Sequence, residues 1–277
     1  MSFLQKLFGG ADRIAKNKTS RRNDYLVTEN VSFATMEAFR HLKASLSVSM
    51  PRETGKKGTT IMMTSACPAD GKTMVAVNIA LTYAMSNAKI VLVDADVRKG
   101  RVARYFRKKS APGLTDCLAG QVTLEEVTHK LPENENFSYI TCGTHSPRPY
   151  ELLESEEMKA LLNKLKETYD YIIIDTPPVL LIPDALALVP EVDGTVVVCR
   201  HEVSFVSDIA KTLNTLSFAK ANVLGVVVND YTSAEKKGGY YGKYYYYEYA
   251  EAMAKTDEEE AAADQTDATT DDAEKKD

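Results

Sequence analysis

No apolar stretch of the 277 residues approaches the ~20 needed to span a bilayer. The apolar run between Met1 and Gly10 is too short for a secretory signal. Cysteine is scarce: Cys67, Cys117, Cys142 and Cys199 are scattered and form no Cys-x-x-Cys pair. That offers no zinc site or disulfide framework and fits a reducing compartment. An excess of positive charge is missing too. The formal net charge of -5 argues against a general nucleic-acid binder. A soluble, intracellular protein is expected. With 44% hydrophobic residues, the chain can fill one α/β domain with tails, or at most two small domains.

What is present centres on Thr64-Ser65-Ala66-Cys67-Pro68-Ala69-Asp70-Gly71-Lys72-Thr73. An apolar run, Thr59 to Met63, leads into it, and a helical pattern leaves it with Val75, Ala76, Ile79, Ala80, Tyr83 and Ala84 on one side. Strand, tight loop, Gly-Lys-Thr and helix form the layout of a phosphate-binding loop. Amides at the helix start point at an anion and the helix dipole favours it. Lys72 can reach terminal phosphates, and the Thr73 hydroxyl can ligate Mg²⁺. The full pattern asks for glycine at position 66, where this chain has Ala66.

Two further strands end in acids. Ile90 to Val93 runs into Asp94-Ala95-Asp96-Val97-Arg98-Lys99, and Tyr171 to Ile174 runs into Asp175-Thr176-Pro177-Pro178. Period-two geometry points Asp94 and Asp96 the same way, and such a pair repels unless a cation or proton sits between them. An acid at the tip of the Asp175 strand suits metal binding through water, and Pro177 and Pro178 block an immediate helix cap. Arg98 is a candidate phosphate partner, with an ordinary surface arginine as the alternative.

The rest of the pattern is alternating. Phe33, Met36, Phe39, Leu42 and Leu46 share a helical face over 33–48, flanked by a stripe of Glu37, Arg40 and Lys43. A short helical piece is expected at Leu114 to Leu118 and a strand at Phe137 to Ile140. One long helix is expected from Glu151 to Tyr169, a strand from Gly194 to Cys199, a helix from Phe205 to Ala219 and a strand from Val223 to Val228. Strands alternating with helices predict a doubly wound, mainly parallel α/β sheet of the P-loop NTPase type, with helices on both faces. Asn229, at the end of the last strand, is the candidate for reading an adenine base. The first 22 residues carry Phe3, Leu4, Leu7 and Phe8 beside Lys6, Arg13, Lys16, Lys18, Arg21 and Arg22. They read either as a weak contact with an anionic membrane or as a disordered leader.

The three motifs together resemble those of the bacterial tyrosine kinases of capsular and exopolysaccharide assembly, over roughly Glu29 to Tyr249. Glu37-x-x-Arg40-x-x-Lys43 resembles that family's oligomerisation motif, although Lys43 replaces an arginine and cannot pair bidentately. Ala69 stands where the family usually has glycine, and Gly100 where many members have proline. The resemblance implies an ATP- and Mg²⁺-dependent protein-tyrosine kinase. Ala66, Cys67, Pro68, Ala69, Asp70, Gly71, Lys72, Thr73 and Met74 would hold the nucleotide with Arg98 and Asn229. Lys72, Asp94, Asp96 and Asp175 would be catalytic. Thr73, Asp96 and Asp175 would serve Mg²⁺, and Asp94 would take the tyrosine proton unless it exchanges roles with Asp96.

Seven of the 15 tyrosines fall within ten positions: Tyr240, Tyr241, Tyr244, Tyr245, Tyr246, Tyr247 and Tyr249. Among Gly238, Gly239 and Gly242 they read as a flexible acceptor tail able to reach a neighbouring subunit's site. The resemblance implies a ring-shaped homo-oligomer built through Glu37 and Arg40, phosphorylation in trans, a separate transmembrane activator or polysaccharide co-polymerase, and a cognate tyrosine phosphatase. It also implies a cytoplasmic location, peripheral at the inner face of the membrane. Phosphorylated tails are expected to leave an acidic site and loosen the ring. The expected organisation is a basic leader (1–28), a kinase domain (29–235), a tyrosine-rich tail (236–249) and an acidic, disordered tail (250–277). The alternative is a partition- or cell-division-type switch ATPase, which shares the fold. Its signature lysine after the first loop position is Cys67 here.

Overall fold

The computed structural model describes residue 26 and residues 31–50 and 58–231. The chain divides into two units, 1–231 and 232–277, and all described residues fall in the first. The tyrosine-rich and acidic tails lie outside the described residues, as does the leader apart from Leu26.

Seven strands form one sheet: β1 (Thr59–Ser65), β2 (Ile90–Asp94), β3 (Thr128–Leu131), β4 (Asn134–Ile140), β5 (Tyr171–Asp175), β6 (Gly194–Arg200) and β7 (Val223–Asn229). Their order is β3-β4-β2-β5-β1-β6-β7. All neighbours are parallel except β3 and β4. The helices are α1 (Phe33–Ser49), α2 (Lys72–Ala84), α3 (Val102–Tyr105), α4 (Leu114–Leu118), α5 (Leu124–Val127), α6 (Pro149–Leu153), α7 (Glu156–Thr168), α8 (Asp184–Ala187) and α9 (Val206–Phe218). The doubly wound, mainly parallel fold expected from the sequence is the one observed.

Continuous apolar runs are the mark of parallel strands covered on both faces, and every residue of β1, β2 and β5 is buried. Period-two alternation divides the core. Ile61, Met63, Leu92, Ile173 and Val198 face Phe39, Leu46, Val75, Ile79 and Tyr83 of α1 and α2. Met62, Val91, Val93, Ile172, Ile174 and Val197 face Leu114, Leu153, Met158, Leu162 and Leu216 on the other side.

The chain runs from β1 to β2 and leaves between them the slot that β5 later fills. The carboxyl ends of β1, β5 and β2 therefore lie side by side. In register, Met63 partners Asp175, which partners Asp94. This is the end of a doubly wound sheet where ligands bind.

Three elements differ from expectation. Helix α2 is buried all round, including Val77, Asn78, Leu81 and Thr82, because α1 packs on its outer side. Tyr83 packs against Tyr171 with ring centroids 4.2 Å apart and the rings tilted by 34°, and the Lys43 ammonium sits 5.7 Å above the Tyr83 ring. The single helix expected over 151–169 is two helices. Ser155 interrupts it and caps α7 by accepting from the Met158 N–H. Strand β3, absent from the sequence reading, is short and half-buried and pairs antiparallel with β4. Its four residues are too few for a clear period.

Ser155→Ala removes a side-chain cap from α7 and should lower stability by about 1 kcal/mol, read from urea-unfolding midpoints. Ser155→Asp should retain most of it.

Candidate active site

Between β1 and α2 the backbone turns sharply. Gly71, the residue before α2, has φ +91°, and a Cβ there would lie 2.0 Å from Asn229 Nδ2. Ala69 also adopts φ +70°, a left-handed conformation that glycine takes without steric cost. No side chain caps α2, so its first amides remain available to an anion.

Asp70 explains how an acid tolerates a phosphate loop. It is 1% exposed, its Oδ2 accepts from the Cys67 N–H at 3.0 Å, and its Oδ1 accepts from Ser204 Oγ at 2.8 Å. Asn229 Nδ2 donates to the Asp70 carbonyl at 3.0 Å. Both side chains brace the loop from behind, and neither lines the cavity in front of it. Asn229, expected to read a base, is engaged with the loop instead.

Lys72 is the centre of the site. Its Nζ lies 3.3 Å from Asp175 Oδ1 and 3.4 Å from Asp96 Oδ2, with all three side chains nearly buried. Burial works against the ammonium charge. Asp175, Asp96 and Asp94 outweigh burial and hold the Lys72 pKa above its ordinary value. The distances exceed the 2.7–2.9 Å of tight charge-assisted bonds, so the cation is shared between two acids.

Beneath it, Asp94 is fully buried and its Oδ2 accepts from the Val102 N–H at 2.9 Å. Burial first, then the neighbouring Asp175 charge, pushes its pKa well above the carboxylate range. Asp175 is also raised by burial, opposed by Lys72 and by the Thr73 hydroxyl that donates to it. Asp94 Oδ1 and Asp175 Oδ2 are buried with no partner among the described residues. Two orphaned carboxylate oxygens beside a threonine hydroxyl and an anion cradle suit a hard divalent cation. Among the described residues, no group of three or more His, Cys, Asp or Glu side chains is arranged as a metal site.

A cavity of about 900 Å³ opens in front of the loop, lined by Pro68, Ala69, Gly71, Lys72, Thr73 and Met74 on one side. Asp96, Lys99, Arg101, Arg104 and Arg200 line other parts. Two expectations are corrected here. The cavity is predominantly basic, not acidic. Arg98 is not on the cavity wall: its Nε and terminal nitrogen donate to both oxygens of buried Asp184 at 2.7 and 3.0 Å. The sequence reading passed over Lys99, Arg101, Arg104 and Arg200; the basic residues at 98, 101 and 104 were the available signal. Ala66 and Cys67 sit in the loop but not on the cavity wall.

Gly100 has a packing reason. A Cβ there would meet Cys142 Sγ at 2.5 Å and Asp94 Oδ2 at 2.7 Å. Glu37 and Arg40 form an ion pair at 2.6 Å on the exposed face of α1, whereas Lys43 turns to the Tyr83 ring.

Strand, loop, buried lysine and two strand-end acids make this a P-loop nucleotide-binding protein. Residues 58–224 match a family described as an AAA domain. The tyrosine-protein kinase YwqD of Bacillus subtilis is 33% identical over 218 residues, 78% of this chain and 90% of that protein. The chain belongs to the bacterial tyrosine-protein kinases. A Klebsiella pneumoniae relative is 33% identical over 219 residues, which are 79% of this chain, but the match spans only 30% of that protein's length. Among solved structures, the kinase domain of the Escherichia coli tyrosine kinase ETK superposes with a TM-score of 0.69 at 30% identity, covering 76% of this chain and 84% of that one. The septum site-determining protein MinD of Pyrococcus horikoshii, at 24% identity and a TM-score of 0.54 over 64% of this chain and 72% of its own, shares the fold.

Two predictions follow from the loop and the acids. Ala69→Gly relieves a left-handed strain that outweighs the added chain entropy, and should stabilise the protein by about 1 kcal/mol, measured by chemical denaturation. For Asp94, a raised folded pKa means the native state holds a proton that the unfolded chain releases. Stability from this group is therefore full below the ordinary carboxylate pKa and is lost as pH rises toward the folded value. Asp94→Asn should raise the melting temperature at pH 7 without nucleotide or divalent cation, with the gain shrinking toward pH 4.

Proposed function

We propose that this chain is an ATP-dependent protein-tyrosine kinase that phosphorylates the tyrosine cluster Tyr240 to Tyr249 of a second copy. It thereby regulates capsular or exopolysaccharide polymerisation and export. The observation that carries the proposal is the position of Lys72: at the first residue of α2, beside an uncapped loop, and within 3.4 Å of Asp96 and Asp175. The Klebsiella relative's name places it in a cps region, which supports the polysaccharide context.

The amides of Gly71, Lys72 and Thr73 would hold the β- and γ-phosphates, with Lys72 released from its acids to meet them. Thr73, Asp96 and Asp175 would hold Mg²⁺, directly or through water; that ion, when bound, supplies neutralisation of the charge on the transferring group. The acceptor tyrosine oxygen forms the new bond to the γ-phosphorus as the bond to ADP breaks, and a carboxylate takes the phenolic proton. Asp96 is nearly buried but lines the cavity, whereas Asp94 is sealed beneath it, which favours Asp96 over Asp94 for contact with the acceptor. Asp94, whose pKa is raised by burial and by Asp175, would then serve to adjust the charge beside the cation.

The remaining partners follow the family resemblance. A ring homo-oligomer built through Glu37 and Arg40, a separate transmembrane activator, a cognate phosphatase and a place at the inner membrane face belong to this proposal. Among the described residues no helix is long and apolar enough to cross a membrane.

Incubation with Mg²⁺-ATP and the cytoplasmic segment of a candidate activator, followed by mass spectrometry of residues 238–255, should find phosphate on several tyrosines. Lys72→Ala should lose at least 100-fold in incorporation, about the scale of removing one preorganised cation from a transferring group. Hydrolysis of ATP with those tyrosines unmodified would favour a switch ATPase.

A further inference from the structure

Three cations on the cavity wall have no part in the nucleotide scheme. Lys99, Arg101 and Arg104 are exposed, and among the described residues none of them forms an ion pair. Arg101 immediately precedes α3 and Arg104 lies three residues on, and both line the cavity. A fourth cation, Arg200, is tied to Asp230 at 2.7 Å. The one carboxylate on the wall, Asp96, is engaged with Lys72. Three unpaired like charges gathered at one opening raise the local concentration of anions. The same cavity is bordered by Pro177, Pro178, Leu181 and Ile182, and Leu181 is 65% exposed. Cationic and apolar surfaces thus line the same opening as Lys72.

We infer that Lys99, Arg101 and Arg104 form an acceptor-selecting rim, favouring tyrosines flanked by carboxylates, with the acceptor's aromatic ring received by the Leu181 and Ile182 side. The inference rests on the kinase reading and names the substrate class of that site. A second copy of this chain supplies such an acceptor. Glu248 lies between Tyr247 and Tyr249, Glu251 follows, and Asp257 to Glu260 are four consecutive acids. Residues 250–277 hold eleven acids against three lysines, which gives the acidic terminus a use: it keeps an aromatic acceptor segment at a basic opening. Electrostatic complementarity of this kind acts on encounter rate and on choice of partner.

The test compares two single-tyrosine peptides, one flanked by glutamates and one by alanines, as substrates of the full chain with Mg²⁺-ATP. Wild type should favour the glutamate peptide in kcat/KM by about tenfold at low ionic strength, and the preference should fall with added salt. In Arg101→Ser/Arg104→Ser the preference should drop below about twofold, while Arg101→Lys/Arg104→Lys should keep most of it. A melting-temperature rise with Mg²⁺-ADP checks that each variant is folded; should the double serine variant fail it, Lys99→Ser provides the smaller loss. A wild type with no preference, or a preference untouched in folded variants, overturns the rim. So does loss of cosedimentation with phosphatidylserine vesicles in variants that keep the peptide preference, which assigns the cations to a lipid surface. Transfer to neither peptide by wild type and activator removes the kinase reading itself, a different result from transfer without selectivity.

Discussion

A single buried cation holds the functional end of this molecule together. Lys72 lies in low-dielectric surroundings, where an unpaired ammonium is strongly disfavoured, and it remains charged because Asp96, Asp175 and Asp94 surround it. The acids are equally dependent on it. Burial first, and then the charge of its strand-end neighbour Asp175, raise the Asp94 pKa well above its ordinary value. Removing Lys72, or one of the two acids paired with it, leaves a buried charge uncompensated, which costs more than the pair contributed. A nucleotide with its cation would exchange partners within this cluster: phosphate for Lys72, metal for the acids.

The fold exists to bring these four residues together from four separate places in the chain. Lys72 is set by the phosphate loop, Asp94 by the end of β2, Asp96 by the turn after it, and Asp175 by the end of β5. The insertion of β5 between β1 and β2 makes Asp94 and Asp175 register partners. A further layer fixes the turn: the Lys99 N–H donates to Asp96 Oδ1, and Arg98 clasps Asp184 behind it. Gly100 lets the same turn close over Asp94 and Cys142. Asp70 and Asn229 do the corresponding work for the loop.

Much of this was legible in the sequence, for identifiable reasons. Apolar four-residue runs ending in Asp94 and Asp175 read as central parallel strands, and Gly71-Lys72-Thr73 after such a run marks a helix start. Legibility failed where the deciding contact is distant in sequence. Nothing local distinguishes an arginine that meets phosphate from one that meets Asp184, 86 positions away. Asn229 was rightly located at the sheet's ligand end, but its partner is the loop backbone 159 positions earlier. Local signals also misled in one helix: Ser155 sits within a strong helical period, and only its bond to the Met158 amide shows that a new helix begins there. The basic rim went unseen because Lys99, Arg101 and Arg104 resemble any solvated turn until the cavity places them around one opening.

The central claim is that the Lys72 cluster is a nucleotide site in which the lysine exchanges carboxylates for phosphate. The most direct measurement is equilibrium binding of Mg²⁺-ADP to wild type and to Lys72→Met by isothermal titration calorimetry. Methionine keeps the side chain's bulk and removes only the charge. The account predicts at least a 100-fold weaker Kd in the variant, ~2.7 kcal/mol, in a protein that stays folded. Equal affinity in the two proteins would contradict it.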